Sequence, residues 1–187
     1  MPSISKILLT TSRNPTPRIR SFCHDFTRVI PNTVYVNRGK MSNDEVAEKA
    51  MEHNADRLIL IDRWPEGLGV LRLLKTDVSG LIRVSPAVFF RGMLQREFGV
   101  SKVKPTVSIA TSTSDTASEV VKLANALSDF LTLPIMEENT AHRAEGTIMH
   151  ISRNSRGKTE ATFMTQPGHV EAGPRIIVSK LEWSKKG

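Results

Sequence analysis

The chain lacks the sequence features of secreted and membrane proteins. It holds one cysteine, Cys23, so no disulfide can form within the chain and a reducing compartment is expected. No apolar run approaches the roughly 18 residues of a membrane-spanning helix. Met1 to Lys6 leads directly into a strand-like segment, without the features of a signal peptide. We therefore expect a cytoplasmic protein without a membrane partner.

The chain also lacks the motifs of common enzyme classes. Neither a glycine-rich dinucleotide fingerprint nor a P-loop pattern occurs. The five histidines show no metal-ligand spacing with cysteine or acidic residues. Asp62 ends an apolar segment, where α/β enzymes often keep an acid, but it is also suited to capping the next turn. We expect no catalysis, no metal and no cofactor.

Aromatic residues make up only 5% of the chain. RNA binders with stacking platforms use several aromatic side chains. Trp64, in a predicted turn, could stack on a base or pack beneath its loop. The composition favours recognition through phosphate contacts and shape over base stacking.

Acidic residues are scarce at the amino terminus. Residues 1–40 contain seven basic residues and one acid, Asp25, a net charge of +6. Residues 41–139 carry −3 and residues 140–187 carry +4, which gives +7 for the whole chain. Basic ends around a middle of opposite sign indicate a localised patch. Its expected partner is a polyanion, nucleic acid before membrane.

The basic amino-terminal stretch has the pattern strand, turn, helix, strand. Residues 6–11 form a short apolar run, and residues 12–15 form a polar turn. Thr16 can cap a helix whose first position is Pro17. The buried face of this helix is predicted by apolar residues at helical spacing, namely Ile19, Phe22, Cys23, Phe26, Val29 and Ile30. A second strand follows at residues 33–36.

Cations lie where this helix begins. Arg18 and Arg20 occupy its first turn, where the helix dipole favours acids, and Arg13 lies in the preceding turn. This placement suits a bound anion held by cations and backbone N–H groups together. The alternative is a solvated basic helix.

Further elements follow in the order helix and then strands. Ser42 and Glu45 form a capping box before a helix with the apolar face Val46, Ala47, Ala50 and Met51. Residues 57–62 predict a strand covered on both faces, and residues 68–74 and 80–84 predict two more. Residues 85–98 fit either a helix or an extended strand. The pattern predicts an α/β layered sheet.

A second copy of the pattern begins near residue 101. Residues 107–112 repeat the first strand at an offset of 100, and the following helix repeats the apolar face at an offset of 101, as Val120, Leu123, Ala124, Leu127, Phe130 and Leu131. We interpret this as an internal duplication with halves 1–100 and 101–187. The second turn, Ser112 to Asp115, has lost the cations of the first. The first copy is therefore expected to carry the binding chemistry.

The carboxy-terminal part is rich in strands. Residues 146–152 and 159–165 predict a hairpin whose tip, residues 153–158, carries Arg153, Arg156 and Lys158. These cations could reach a phosphate backbone or simply keep the turn soluble. Gly173-Pro174-Arg175 precedes a final strand.

Two motifs carry a family resemblance. Residues 9–18, followed by Pro31-Asn32 and residues 36–40, closely resemble the Brix domain family of ribosome-biogenesis proteins, most nearly the branch associated with small-subunit pre-rRNA processing. Gly173-Pro174-Arg175 resembles the carboxy-terminal signature of the family. The resemblance covers the whole chain, which without added tails resembles a single-domain archaeal member.

The resemblance implies one compact domain, residues 1–187, of two α/β halves, each similar to the anticodon-binding domain of class II aminoacyl-tRNA synthetases. It implies a non-catalytic factor that binds precursor rRNA and ribosome-assembly proteins, with no small-molecule substrate. From the basic motifs and the resemblance together, we expect RNA contacts at Ser12, Arg13, Asn14, Arg18, Arg20, Arg38, Lys40, Arg153, Arg156, Lys158 and Arg175.

Two other functions compete with this interpretation. One is a small enzyme acting on an anionic substrate, with Arg13 and Arg18 as an anion clamp and Asp62 as a base. The other is a scaffold that binds only proteins through its basic face.

Overall fold

The computed structural model describes residues 6–100, 102–111 and 118–184, which form an 11-stranded sheet with helices on both faces. The strands are β1 Lys6–Thr11, β2 Thr33–Tyr35, β3 Ala55–Arg63, β4 Gly69–Asp77, β5 Gly80–Met93, β6 Thr106–Thr111, β7 Ile135–Glu137, β8 Gly146–Arg153, β9 Thr159–Gln166, β10 Val170–Glu171 and β11 Arg175–Glu182. The helices are α1 Pro17–Val29, α2 Asn43–Glu52, α3 Ser118–Leu131 and α4 Glu138–Ala141, with a 3-10 helix at Gln95–Phe98. The predicted mixed α/β fold is confirmed.

The two ends of the strand order follow the same pattern of connections when each is read inward from its own edge of the sheet. The order is β2-β1-β3-β4-β5-β11-β9-β8-β6-β7, with β10 paired to β9. β1 lies between β2 and β3 and is parallel to both, and β6 lies between β7 and β8 and is parallel to both. The two arrangements meet at the antiparallel pair β5 and β11.

Helix α1 forms where the sequence predicts it. Thr16 Oγ1 accepts a hydrogen bond from the Ile19 N–H at 3.2 Å, and Pro17 is the first helical residue. The predicted apolar face is buried, from Ile19 to Ile30. Phe22 stacks on Phe26 and also contacts Phe90 of β5, which anchors α1 to the sheet.

Helices α1 and α3 share one core. The buried face of α3 joins that of α1 and the residues of one sheet face in a single apolar cluster. Five of the six predicted α3 face residues are buried, and Leu127 is partly buried. The predicted turn Ser112 to Asp115 lies outside the described residues. We call the face covered by α1 and α3 the α1 face of the sheet.

Helix α2 packs on the opposite face, which we call the α2 face. The capping box forms in full, because Ser42 Oγ accepts from the Glu45 N–H while the Glu45 carboxylate accepts from the Ser42 N–H. Val46 and Ala50 pack against Leu8 and Leu58. The prediction that Met51 is buried is wrong, since it is 63% exposed. The other three apolar residues of the predicted face suffice for this short contact.

The ambiguous segment 85–98 is a strand for most of its length. β5 continues to Met93, and only Gln95–Phe98 forms a 3-10 helix. Val88 and Phe90 lie in the core of the α1 face, whereas Phe89 between them packs against Trp64 on the other side. The side chains of this segment therefore alternate between the two faces of the sheet, as in a strand. Trp64 packs beneath its loop, one of the two alternatives left open by the sequence.

Candidate nucleic-acid interface

An arginine-rich groove of about 540 Å³ lies on the α2 face, beside the carboxyl ends of β1 and β3. Four arginines and one acid supply all of its charge. Its lining residues are Ser12, Arg13, Arg38, Asn43, Leu60, Asp62, Arg72, Leu74, Leu81 and Arg83. The leucines form an apolar floor, and the guanidinium groups give the groove a positive potential.

Arg38 is held in this groove by the loop that connects β2 to α2. The residue is only 5% exposed. Nε donates to the Met41 carbonyl at 2.7 Å, and Nη2 donates to Asn43 Oδ1 at 2.9 Å. Asn43 is the first residue of α2, so the capped helix start fixes the position of the guanidinium.

The remaining nitrogen of Arg38, Nη1, is buried without a hydrogen-bond partner. Within the described part of the chain, no carboxylate lies within 4 Å of this guanidinium. Burial lowers the pKa of Arg38, and the nearby Arg13 lowers it further, against a raising effect of Asp62 and Glu45. An arginine stays charged under these conditions. A buried cation with a free donor is a site for an anion.

Ser12 and Arg13 complete the upper end of the groove. The Ser12 N–H donates to the Ile61 carbonyl at 3.1 Å, which continues the pairing of β1 with β3 into the turn. Its hydroxyl oxygen is buried without a partner. Arg13 is exposed and lies near enough to lower the pKa of both Arg38 and Glu45. Ser12, Arg13 and Arg38 are thus brought together in one groove.

Asp62 lies in the same groove as Arg13, which is the arrangement that the enzyme alternative requires. Its Oδ1 accepts from the Arg63 N–H at 2.8 Å, and its Oδ2 is 3.9 Å from Arg72 Nε. The carboxylate is therefore engaged by the last backbone N–H of β3 and lies near Arg72. Arg18, the second proposed member of the anion clamp, is not in this groove.

The predicted anion site at the start of α1 does not form, because its arginines diverge. Arg18 donates to the Gly92 carbonyl at 3.1 Å and pairs with the Glu97 carboxylate at 3.3 Å. Arg20 folds back onto the Pro15 carbonyl at 3.2 Å. Helix α1 covers the α1 face, so Arg18 turns toward β5 and the 3-10 helix, away from the groove that holds Arg13.

The hairpin tip 153–158 does not extend the groove. Asn154 Oδ1 organises this tip by accepting from the backbone N–H groups of Arg156 and Lys158, each at 3.0 Å. Strand pairing makes β8 antiparallel to β1. The tip after β8 and Arg13 after β1 therefore lie at opposite ends of the strands of the sheet. The tip is a separate exposed basic loop.

The other predicted contact residues have individual environments. Arg175 pairs through two nitrogens with the Glu171 carboxylate and lies over the Phe98 ring at 5.4 Å. The bond to Glu171 raises the pKa of Arg175. Asn14 and Lys40 are exposed. Arg18 and Arg175 are thus engaged by carboxylates, unlike Arg38.

Sequence reasoning missed Arg72 and Arg83. Each arginine interrupts an apolar strand, Arg72 in β4 and Arg83 in β5. Because neighbouring residues of a strand point to opposite faces, a charge at alternating positions marks a face that is open to solvent. That signal is present in the sequence, but only the sheet order places both residues beside Arg38.

Comparison with known proteins finds relatives that are named for ribosomal biogenesis. None of the family models compared with the chain matches it. Proteins named probable Brix domain-containing ribosomal biogenesis protein are similar in sequence. The one from Methanopyrus kandleri is 30% identical over 129 residues, 66% of this chain and 65% of that protein. The one from Thermococcus kodakarensis is 32% identical over 99 residues, 53% of this chain and 48% of that protein. The chain thus spans about half the length of the second of these relatives.

Two solved structures share the architecture over nearly the whole chain. A crystal structure of a probable ribosomal biogenesis protein from Aeropyrum pernix K1 has a TM-score of 0.75 at 25% identity, covering 95% of this chain and 97% of that one. Mil, an archaeal Imp4-like protein, has a TM-score of 0.67 at 19% identity, covering 95% and 99%. Motif, sequence similarity and fold agree: this chain is a homologue of archaeal proteins named Brix domain-containing ribosomal biogenesis protein, and it shares the fold of a solved archaeal ribosomal biogenesis protein.

Proposed function

We propose that this protein is a non-catalytic RNA-binding factor in ribosome biogenesis, which acts in the cytoplasm on precursor rRNA together with assembly proteins. The names of its relatives support a role in ribosome biogenesis. The arginine-rich groove supports an anionic ligand such as RNA. Within this process we propose action on small-subunit precursor rRNA, which rests on the resemblance of residues 9–18, Pro31-Asn32 and residues 36–40.

The buried, partly unsatisfied guanidinium of Arg38 is the observation that carries this proposal. A phosphate oxygen at the groove would accept from Nη1 of Arg38 and from the hydroxyl of Ser12, and Arg13 would cover it from the solvent side. These contacts are to backbone phosphate and carry no base specificity. The exposed Asn14 and Lys40 would extend them, and the tip 153–158 would form a second, separate contact.

The test is the salt dependence of RNA binding by the double variant Ser12→Ala/Arg13→Ala. The slope of log K against log salt is expected to shrink by roughly 0.7 for each phosphate of a single strand that the variant no longer binds. The matched control is Arg96→Ala, which removes an exposed arginine outside the groove. Equal affinity and equal slope for the double variant and the wild type would refute this site.

The sharing of one groove by Asp62 and Arg13 favours a second candidate, an enzyme acting on an anionic substrate. The binding experiment separates the two. RNA recovered intact after prolonged incubation supports a binding protein. Cleavage that disappears in Asp62→Asn would support the enzyme. A scaffold that binds only proteins would retain its partners after nuclease treatment and would capture no RNA.

We also propose that the halves 1–100 and 101–187 of this single domain are diverged copies, each similar to the anticodon-binding domain of class II aminoacyl-tRNA synthetases. The inward-running strand order and the matching buried faces of α1 and α3 support the duplication. In this proposal the first copy keeps the cations of the ligand groove, and the second copy serves mainly to complete the sheet.

A further inference from the structure

The middle of the α2 face carries no helix in the described part of the chain. Helix α2 packs over Leu8, Leu58 and Leu74, with Leu81 of β5 at its margin, and α4 packs with Ala110 and Ile148 near the other edge of the sheet. Beyond α2, this face carries Arg72 of β4 and Arg83 of β5, both of which line the groove. Such an open, basic sheet surface is available to a ligand.

Two grooves adjoin where this face carries Arg72 and Arg83. The groove that holds Arg38 shares Arg72 and Arg83 with a second groove of about 170 Å³. The lining of the second groove consists of Arg72, Leu73, Arg83, Val84, Ser85, Ala87, Glu182, Trp183 and Ser184. The two shared arginines thus stand between the buried cation at one end and an aromatic ring at the other.

The shared arginines are only weakly engaged by acids. Arg72 approaches Asp62 at 3.9 Å, and that carboxylate already accepts from the Arg63 N–H. Arg83 is exposed and forms no ion pair within 4 Å with any described carboxylate. Both guanidinium groups therefore keep donors for a ligand.

Trp183 forms the far wall of the second groove. It is 42% exposed, although it is one of the largest apolar side chains. The next residue fixes its position, since the Ser184 N–H donates to Ser85 Oγ at 2.8 Å. Glu182, the acid of this groove, pairs with Lys180 at 2.6 Å. A partly exposed indole beside a paired acid and available arginines can accept a flat, uncharged ring.

We propose that the two adjoining grooves form one track for single-stranded RNA, in which a base stacks on Trp183 and successive phosphates bind Arg72 with Arg83 and then Arg13 with Arg38. This inference rests on the proposed function and specifies its RNA class. The track crosses five strands, from β1 to β11, which is roughly 19 Å at the usual strand spacing. That span suits a few nucleotides of an extended strand.

The geometry selects single-stranded over double-stranded RNA. Arg38 lies at 5% exposure in the floor of a groove, where the backbone of a rigid duplex reaches poorly. A base can cover Trp183 only when it is unstacked from its neighbours, and such bases occur in loops, bulges and ends. The track combines stacking with phosphate contacts, so a composition poor in aromatics does not exclude a stacked base.

The experiment is a fluorescence titration of the full chain with an oligouridylate and with a duplex RNA of equal length. Stacking on Trp183 quenches its emission, and Trp64→Phe removes the emission of the packed indole. In that background, Trp183→Ala is expected to weaken oligouridylate binding about 5- to 150-fold, the range for one stacked base, with the affinity of this variant measured by filter binding. Arg72→Ala/Arg83→Ala should lower the salt slope by roughly 0.7 for each phosphate that is no longer bound. Lys122→Ala, on the exposed side of α3, is the control.

The outcomes separate this inference from the proposed function. Weakened single-strand binding in both variants, with little effect on the duplex, supports the track. RNA binding that depends on Ser12 and Arg13 but is unchanged in both variants overturns the track and leaves the proposed function standing. Tighter binding to the duplex than to the oligouridylate also overturns the track. Absence of binding to any RNA by the wild type overturns both proposals.

Discussion

At the scale of single residues, the partners of each arginine decide its role. Arg18 and Arg175 each face a carboxylate, Glu97 and Glu171. Arg38 faces a carbonyl and an amide oxygen, and no described carboxylate lies within 4 Å of its guanidinium. A compensated guanidinium gains little from a phosphate, whereas a buried uncompensated one gains both charge pairing and a missing hydrogen bond. Arginines that cannot be told apart in the sequence therefore differ in their capacity to bind a phosphate.

Cys23 leads to a prediction about stability at high pH. Burial raises the pKa of this thiol to about 12 from an ordinary value of 9.0. Above pH 9 the thiol ionises in the unfolded state but not in the folded state. The free energy of unfolding is therefore expected to fall between pH 9 and pH 12, by at most about 1.4 kcal/mol per pH unit from this group. Urea denaturation across this pH range measures the slope.

The control for this prediction is Cys23→Ala, which should show a shallower fall. Tyr35 titrates in both proteins: burial raises its pKa in each, and the further raising effect of Cys23 is lost together with the thiol. Identical slopes for the two proteins would contradict the prediction. The same burial should protect the thiol from alkylation below pH 9 until the protein unfolds.

At the scale of elements, the start of α2 links stability to the binding groove. The Ser42–Glu45 capping box fixes this start, and Asn43 in the first turn holds Arg38. Ser42→Ala is expected to lower the free energy of unfolding by about 1 kcal/mol, the usual cost of losing such a cap. Chemical denaturation measures this change. Ser155→Ala, in the exposed hairpin tip, is the matched control and should leave stability within error. Equal losses in the two variants would argue against the cap.

Elements with one buried face are predictable from the sequence. β5 shows that a strand with packed side chains on both faces is not. The apolar residues of α1 recur every three or four positions and match its buried face. In β5, the neighbouring residues Phe89 and Phe90 are both apolar. Phe89 packs on Trp64, and Phe90 packs in the core of the α1 face. When both faces of a strand pack aromatic rings, its periodicity disappears, and helix and strand become indistinguishable in sequence.

At the scale of the whole molecule, the two halves are joined by one continuous core. Phe26 of α1 meets Phe163 of β9 edge to face at 6.2 Å between ring centres. Arg57 of β3 donates to the Phe130 carbonyl and to Thr132 Oγ1 near the end of α3. Because neither half contains the entire core, the described parts of both halves are expected to unfold together.

This expectation is tested by following urea denaturation with far-ultraviolet circular dichroism and with tryptophan fluorescence. The two transitions should coincide in the wild type. Phe163→Ala should shift both probes together, with a decrease of about 3–5 kcal/mol in the free energy of unfolding for a truncated core phenylalanine. Separate transitions for the two probes would mean that the halves unfold independently. Val170→Ala, at an exposed position, is the control.

The sequence by itself determined the local elements, the buried faces of α1 and α3, the family resemblance, and the concentration of cations near the amino terminus. These properties depend on neighbours within a few residues or on composition, which the sequence contains directly. Only the tertiary structure decided which cations act together. It separated Arg18 from Arg13 across the sheet and placed the hairpin tip at the opposite end of the strands from Arg13. It also added Arg72 and Arg83 to the groove. Strand order brings residues distant in the chain to one face, and no local pattern encodes that order.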